Sequence, residues 1–275
     1  MGGSTTLCLW MREDKRFPYL SGRSLEGRTG LRVNAFNSAR SGSDSVFSLN
    51  KLVNMVVPMR PEVAVMMHNI NDLVQLLYGS PYWEGNRPKT QSLSDLSSGS
   101  MIYGDHYAKR RGLLSHTRYA LRRVLSPPQR DRPDTPMERS PIDANRILSD
   151  FRRSLITFVV VTRTGNIEPV LMTQQNRITG IPVDQDLWLT EDKGELERRG
   201  ISREVFRHLY GRMNDTIRDM AREQEVPLVD LDALIPREAR DIYDLTHFTQ
   251  AGSELASEAI AHQMAPLVAR TVARP

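Results

Sequence analysis

PEVAVMMHNINDL, residues 61–73, changes character in its middle: an apolar run over 63–67 gives way to a polar turn, and a helical pattern starts after Asp72. That order reads as a buried strand, a turn and a helix. The chain just upstream repeats it. LRVNAF at 31–36 reads as a strand that runs into the small, polar loop NSARSGSDS at 37–45. From Ser45 to Val57 apolar residues fall at 46, 49, 52, 53, 56 and 57, and Pro58 is placed to stop that helix. Two such units in succession predict a parallel sheet joined by crossover helices.

Downstream the alternation continues after an interruption. Residues 84–141 are rich in Ser, Pro, Gly and Arg, and are expected to form a polar insertion in a single domain spanning 1–275. Within the insertion, HYAKRRGLLSHTRYALRRVL at 106–125 has helical spacing with a basic side. A solvated face accounts for it most simply; the alternative use of the basic 109–123 segment is weak contact with envelope headgroups or an anionic polymer. DANRILSDFRRSLITFVVVT, 143–162, could close as a strand in its β-branched end, but its apolar spacing and Gly165 just beyond favour one long helix. IEPVLMT at 167–173 then reads as a strand, 202–224 as a helix capped by Ser202, VPLVDL at 226–231 as a strand, and Thr249 to Val272 as a closing helix. No internal repeat is visible.

Bulk properties limit the function classes. The 275 residues carry 37 Lys and Arg against 33 Asp and Glu, and the resulting net charge of +4 is too weak a bias to imply nucleic acid. One cysteine, Cys8, excludes an internal disulfide framework and a cysteine-based zinc site. No His, Asp and Glu set has metal-ligand spacing and no phosphate-binding glycine loop appears, so no cofactor or metal is expected. Neither a membrane span nor a signal peptide can be read in the chain as it stands.

Ligand sites of parallel α/β sheets lie beyond the carboxyl ends of the strands, and the loops predicted there are polar. The first carries Arg40-Ser41-Gly42-Ser43, the second His68-Asn69-Ile70-Asn71-Asp72, and the stretch before the closing helix carries Asp244-Leu245-Thr246-His247. A carboxylate and an imidazole three residues apart can form the acid–base end of a triad, while a glycine N–H and an asparagine amide can bind an oxyanion. A nucleophile is then required, and Ser4 in MGGSTTLCLW, 1–10, is the candidate. Taken singly, each signal has an ordinary explanation. Gly/Ser/Thr at a terminus is usually loose chain, Asn71 or Asp72 could simply cap a helix, and His68, His106, His116, His208 and His262 have no assigned role.

Taken together and in order, GGSTT at 2–6, SARSGSDS at 38–45, HNINDL at 68–73 and DLTHFTQAG at 244–252 resemble the four sequence blocks of the SGNH/GDSL hydrolase superfamily. GGSTT with FPYL at 17–20, and NDL followed by Tyr82-Trp83, resembles a bacterial branch found among envelope and polysaccharide-related proteins. The resemblance implies a three-layer α/β/α sandwich with a flavodoxin-like parallel sheet, and a serine esterase without a cofactor. It implies Ser4 as nucleophile, Asp244 and His247 as the rest of the triad, and the Ser4 amide, Gly42 and Asn71 as the oxyanion hole. A small acyl ester of a carbohydrate or envelope molecule is the implied substrate.

The chain departs from the pattern twice. Asn69 stands where the third block carries glycine, and only Met1 precedes Gly2 where the family has an apolar first strand, so that strand reads as truncated. The second departure motivates a non-catalytic binding module as the rival from another class, since a sheet lacking an inner strand exposes unpaired edges. An O-acyltransferase using the same residues is the rival within the chemistry. For localisation, the chain as given reads as cytoplasmic, and a form with an upstream anchor or signal as periplasmic.

Overall fold

The computed structural model describes residues 1–78, 82, 142–179, 196 and 200–272. The expected insertion at 84–141, with its basic 109–123 segment, lies outside the described residues. Helices α1 (Ser4–Leu7) and α2 (Phe17–Thr29) open the chain, followed by α3 (Ser45–Lys51), strand β1 (Val63–Met67) and α4 (Ile70–Tyr78). Then come α5 (Ala144–Thr164), β2 (Glu168–Met172), α6 (Arg203–Glu223), β3 (Leu228–Val229), α7 (Leu231–Leu234) and α8 (Gln250–Val272).

The three strands are parallel in the order β1-β2-β3, with Val65 opposite Val170 and Leu171 opposite Leu228. Side-chain alternation along them separates two cores. Ala64 and Met66 of β1 and Leu171 of β2 join Leu52, Phe151, Phe158, Met213 and Ile217 on one face. Met67, Val170, Met172 and Val229 join Phe17, Leu25, Phe248, Ile260 and Leu267 on the other. Apolar clusters on both faces make a three-layer α/β/α sandwich, the arrangement that parallel strands require because neither face tolerates water. No described helix is long and apolar enough to cross a membrane.

Local chemistry accounts for most boundaries. Asp44, Asp143 and Ser202 cap α3, α5 and α6 by accepting from the N–H groups of Phe47, Arg146 and Val205. Helix α3 does not end at Pro58. It continues through a π-helical turn, Leu52–Val56, into a short helix, Val57–Met59. The widened turn ahead of the proline accommodates a ring that cannot donate, and Arg60 at φ 50° ends the segment.

Two further expectations are corrected. Residues 31–36 form no strand: the N–H of Leu31 bonds to Thr29 Oγ1 and that of Val33 to a Glu26 carboxylate oxygen, so α2 takes the donors a sheet neighbour would need. Phe36 is left 73% exposed, which a sheet position would not allow. Helix α4 starts at Ile70 rather than after Asp72, with Leu73 N–H bonding to Asn69 O, so Asn71 and Asp72 lie in the first turn instead of capping it. On the outer side of β1, where the resemblance puts a first strand, the described residues supply Met1 and Gly2. Met67 N–H bonds to Met1 O, the Met1 amino group bonds to Val65 O at 2.7 Å, and Gly2 forms a parallel bridge to Met67.

Candidate active site

Gly3 leads into α1, a four-residue helix whose first residue is Ser4. As first residue, Ser4 has an amide N–H with no intrahelical acceptor. Cys8 in the left-handed region ends the helix by returning its N–H to Ser4 O, and its buried thiol, raised to about 12 chiefly by desolvation, donates to Thr5 O. The turn at 40–43 is tied to this segment: Arg40 N–H bonds to Gly2 O at 3.1 Å and Ser43 N–H closes back on Arg40 O. Gly42 takes φ +73° there, in a conformation that disfavours side chains, and faces open space.

The loop after β1 reaches the same place. Asn71 Nδ2 donates to Ser43 O at 2.9 Å and lies so near Gly3 that a Cβ at that glycine would stand 2.3 Å from it. An amide nitrogen has two hydrogens, so the bond to Ser43 leaves one for a ligand. From the other end of the chain, His247 Nε2 lies 2.7 Å from Ser4 Oγ. His247 Nδ1 lies 2.5 Å from Asp244 Oδ2, and Asp244 Oδ1 accepts the N–H groups of His247 and Thr246 at 2.6 and 2.8 Å. Burial works against the Asp244 charge, but the His247 ring and these N–H groups outweigh it and hold the carboxyl below its usual range. Asp244 thus accepts on both oxygens while the imidazole, with its side chain 30% exposed, faces Ser4 and solvent.

All five residues singled out in the sequence are therefore brought to one place: Ser4, Asp244 and His247 form a hydrogen-bonded chain, Gly42 stands on a turn bonded to Gly2, and Asn71 is bonded to that same turn. Asn69, at the departure from the third block, does not adopt positive φ; its buried side chain donates to Tyr210 O and Asn214 Oδ1. His68 is buried, with Nε2 2.7 Å from Ser48 Oγ and Nδ1 3.3 Å from Asp72 Oδ2. Sequence reading passed over Thr173-Gln174-Gln175-Asn176, the fully enclosed loop after β2. Its position beyond a predicted strand was the available signal, but amides offer neither nucleophile nor base.

No protein-family model matches the chain, and no curated protein matches it. Solved structures do. An acetylxylan esterase from Geobacillus stearothermophilus superposes over 96% of this chain and 91% of its own at 14% identity, with a TM-score of 0.53. A protein described as a GDSL-like lipase from Parabacteroides merdae covers 95% of this chain and 92% of its own at 11% identity, TM-score 0.53. One described as a lipolytic protein of the G-D-S-L family from Desulfitobacterium hafniense covers 95% of each at 8% identity, TM-score 0.51. The chain has the SGNH/GDSL hydrolase fold. In SGNH terms, the described sheet is short, with the first-strand position on the outer side of β1 met by the Met1–Gly2 contacts.

Proposed function

We propose that the protein is a serine ester hydrolase acting through an acyl-Ser4 intermediate. The observation that carries this reading is the chain Asp244 Oδ2, His247 Nδ1, His247 Nε2, Ser4 Oγ, closed by a contact of 2.5 Å between residues three apart and one of 2.7 Å between residues 243 positions apart. A serine hydroxyl is a weak nucleophile until a base takes its proton, and an imidazole serves that purpose only when held in one tautomer. Asp244, ionised and accepting on both oxygens, supplies the hold.

In the first step Ser4 Oγ attacks the acyl carbon as its proton passes to His247 Nε2, and the carbonyl oxygen becomes an oxyanion. The N–H groups of Ser4 and Gly42 and the second hydrogen of Asn71 Nδ2 are the donors for it. Collapse expels the alcohol, which takes the proton from His247. Water then attacks the acyl-serine, giving its proton to His247, and the carboxylic acid leaves as Ser4 Oγ recovers one. The continuous hydrogen-bond chain favours this reading over the non-catalytic module.

For substrate class we take a short acyl ester on a carbohydrate. Two considerations support it: acetylxylan esterases are among the structural neighbours, and half-exposed Tyr243 lies over His247 with ring centroids 5.8 Å apart and planes at 17°, an apolar surface beside the reacting atoms. Hydrolysis of p-nitrophenyl acetate and of acetylated xylooligosaccharides tests both. The expected result is turnover by the wild type that falls by roughly 10³-fold or more in Ser4→Ala and in His247→Ala. Wild type no faster than Ser4→Ala would sink the reading, and a preference for octanoyl over acetyl esters would sink the substrate class.

A further inference from the structure

We infer that Gln174, with its neighbour Gln175, is the positioning residue that fixes the nucleophile, the oxyanion donor Asn71 and the acid–base pair relative to one another. This rests on the serine hydrolase reading above. The Gln174 carboxamide is buried and used at both ends: Nε2 donates to Thr5 Oγ1 at 3.0 Å, while Oε1 accepts from Ile70 N–H at 2.9 Å and from Tyr210 O–H at 3.1 Å. Thr5 follows Ser4 in α1 and Ile70 precedes Asn71 in α4. One planar amide thus spans from the nucleophile's helix to the helix that carries Asn71. Gln175 Nε2 donates at 2.7 Å to the carbonyl of Thr246, which directly precedes His247 in the tight turn that pairs it with Asp244.

The glutamines are themselves held. Asn214 of α6 accepts from Gln174 N–H at 3.1 Å and donates to Gln174 O at 2.9 Å, and Tyr210 O–H also reaches the carbonyls of Gln174 and Gln175. Asn69 bonds to the same Asn214 side chain and to Tyr210 O. The side chains of Thr5, Asn69, Gln174, Gln175, Tyr210 and Asn214 are all buried, so a partner lost among them leaves a polar group with no water to replace it. Strand β2 therefore delivers, at its carboxyl end, the group through which the separate catalytic segments share one reference point. Gln174 itself touches no reacting atom; it acts through Thr5 and Ile70.

Gln174→Met, close in shape but without the amide, and Thr5→Val, which removes the same bond from the other side, test the assignment. Folded, reactive sites are counted with a fluorophosphonate, and turnover of p-nitrophenyl acetate is expressed per labelled site. The expected result is a kcat loss of about 10- to 100-fold in each variant with KM changed less than about threefold, since misplacement of pre-set groups is felt in the transition state. The double variant should lose no more than the worse single one, and Thr5→Ser, which keeps the oxygen, should stay within about twofold of wild type. Unchanged kcat per labelled site, losses that multiply in the double variant, or a Thr5→Ser as impaired as Thr5→Val would each overturn the positioning role. A wild type that neither labels nor turns over would instead overturn the serine reading, and this inference with it.

Discussion

Asn71 and Gly3 have to be considered together. Asn71 donates one amide hydrogen to Ser43 O and has a second for the proposed oxyanion contact, and it can sit there because Gly3 has no side chain. Replacing Asn71 by Ala should lower kcat by about 10²- to 10³-fold while KM changes little, because the lost bond forms only as charge develops. A steady-state comparison on p-nitrophenyl acetate decides it; an unchanged kcat would remove Asn71 from the oxyanion hole. Gly3→Ala would drive a methyl against Asn71 Nδ2, the movable end of a side chain, and against Ser43 O at 3.2 Å. The expected outcome is a kcat loss of the order of tenfold with modest loss of stability, since the side chain can give way where a backbone could not.

At the scale of elements, a buried polar cluster joins α3 to α4. Asp72 Oδ1 accepts from Ser45 N–H at 2.9 Å and from the Tyr82 hydroxyl, and its other oxygen lies 3.3 Å from His68 Nδ1, all out of contact with water. Burial opposes its ionisation, but His68, Ser45 and Tyr82 outweigh that and keep the carboxyl below its ordinary range. Asp72→Ala would strand these donors and leave His68 facing Ser48 alone, so about 3–5 kcal/mol of destabilisation is expected by urea unfolding. Ser202→Ala offers the comparison. It removes a single cap bond from an exposed helix start, and about 1 kcal/mol is expected. Equal effects from the two would show that the Asp72 cluster is no more than a cap.

Across the molecule, the two cores clamp a sheet that is only three strands wide among the described residues. The Met1 amino group, partly buried, donates to Val65 O of β1, and desolvation, helped by the Lys51 charge, lowers its pKa to about 5 from 8.0. The unfolded chain then binds a proton between pH 5 and 8 that the folded chain does not, so stability should rise across that window, by at most about 4 kcal/mol. The carboxylates act at lower pH. Asp72, Asp230 and Asp244 all sit below their ordinary values when folded, so their contribution is present above pH 4 and is lost as pH falls through the folded values. Chemical denaturation at intervals from pH 3 to 9 should give a curve rising through both ranges. A flat profile between pH 5 and 8 would show that the Met1 amine is solvated.

Much of this was legible in the sequence, because it depends on short spacing or strong local chemistry. An aspartate three residues before a histidine can pair with it inside one turn, and Asp244 and His247 do. The apolar spacing over 143–162 sets a helix face, and α5 buries Ile147, Phe151, Leu155 and Phe158 along it. The strands at 63–67 and 168–172 follow from apolar runs that both faces of a parallel sheet can bury. Residues 31–36 looked alike in composition, but a strand needs a neighbour to accept its bonds, and only tertiary structure showed that α2 had taken those donors. The same holds for Gln174, Gln175 and Asn69, whose amides have no reactivity to mark them and become meaningful once burial leaves them specific partners. For Ser4 the sequence by itself determined a hydroxyl behind two glycines. The fold decided the rest, by bringing an imidazole from 243 residues away to within 2.7 Å of it.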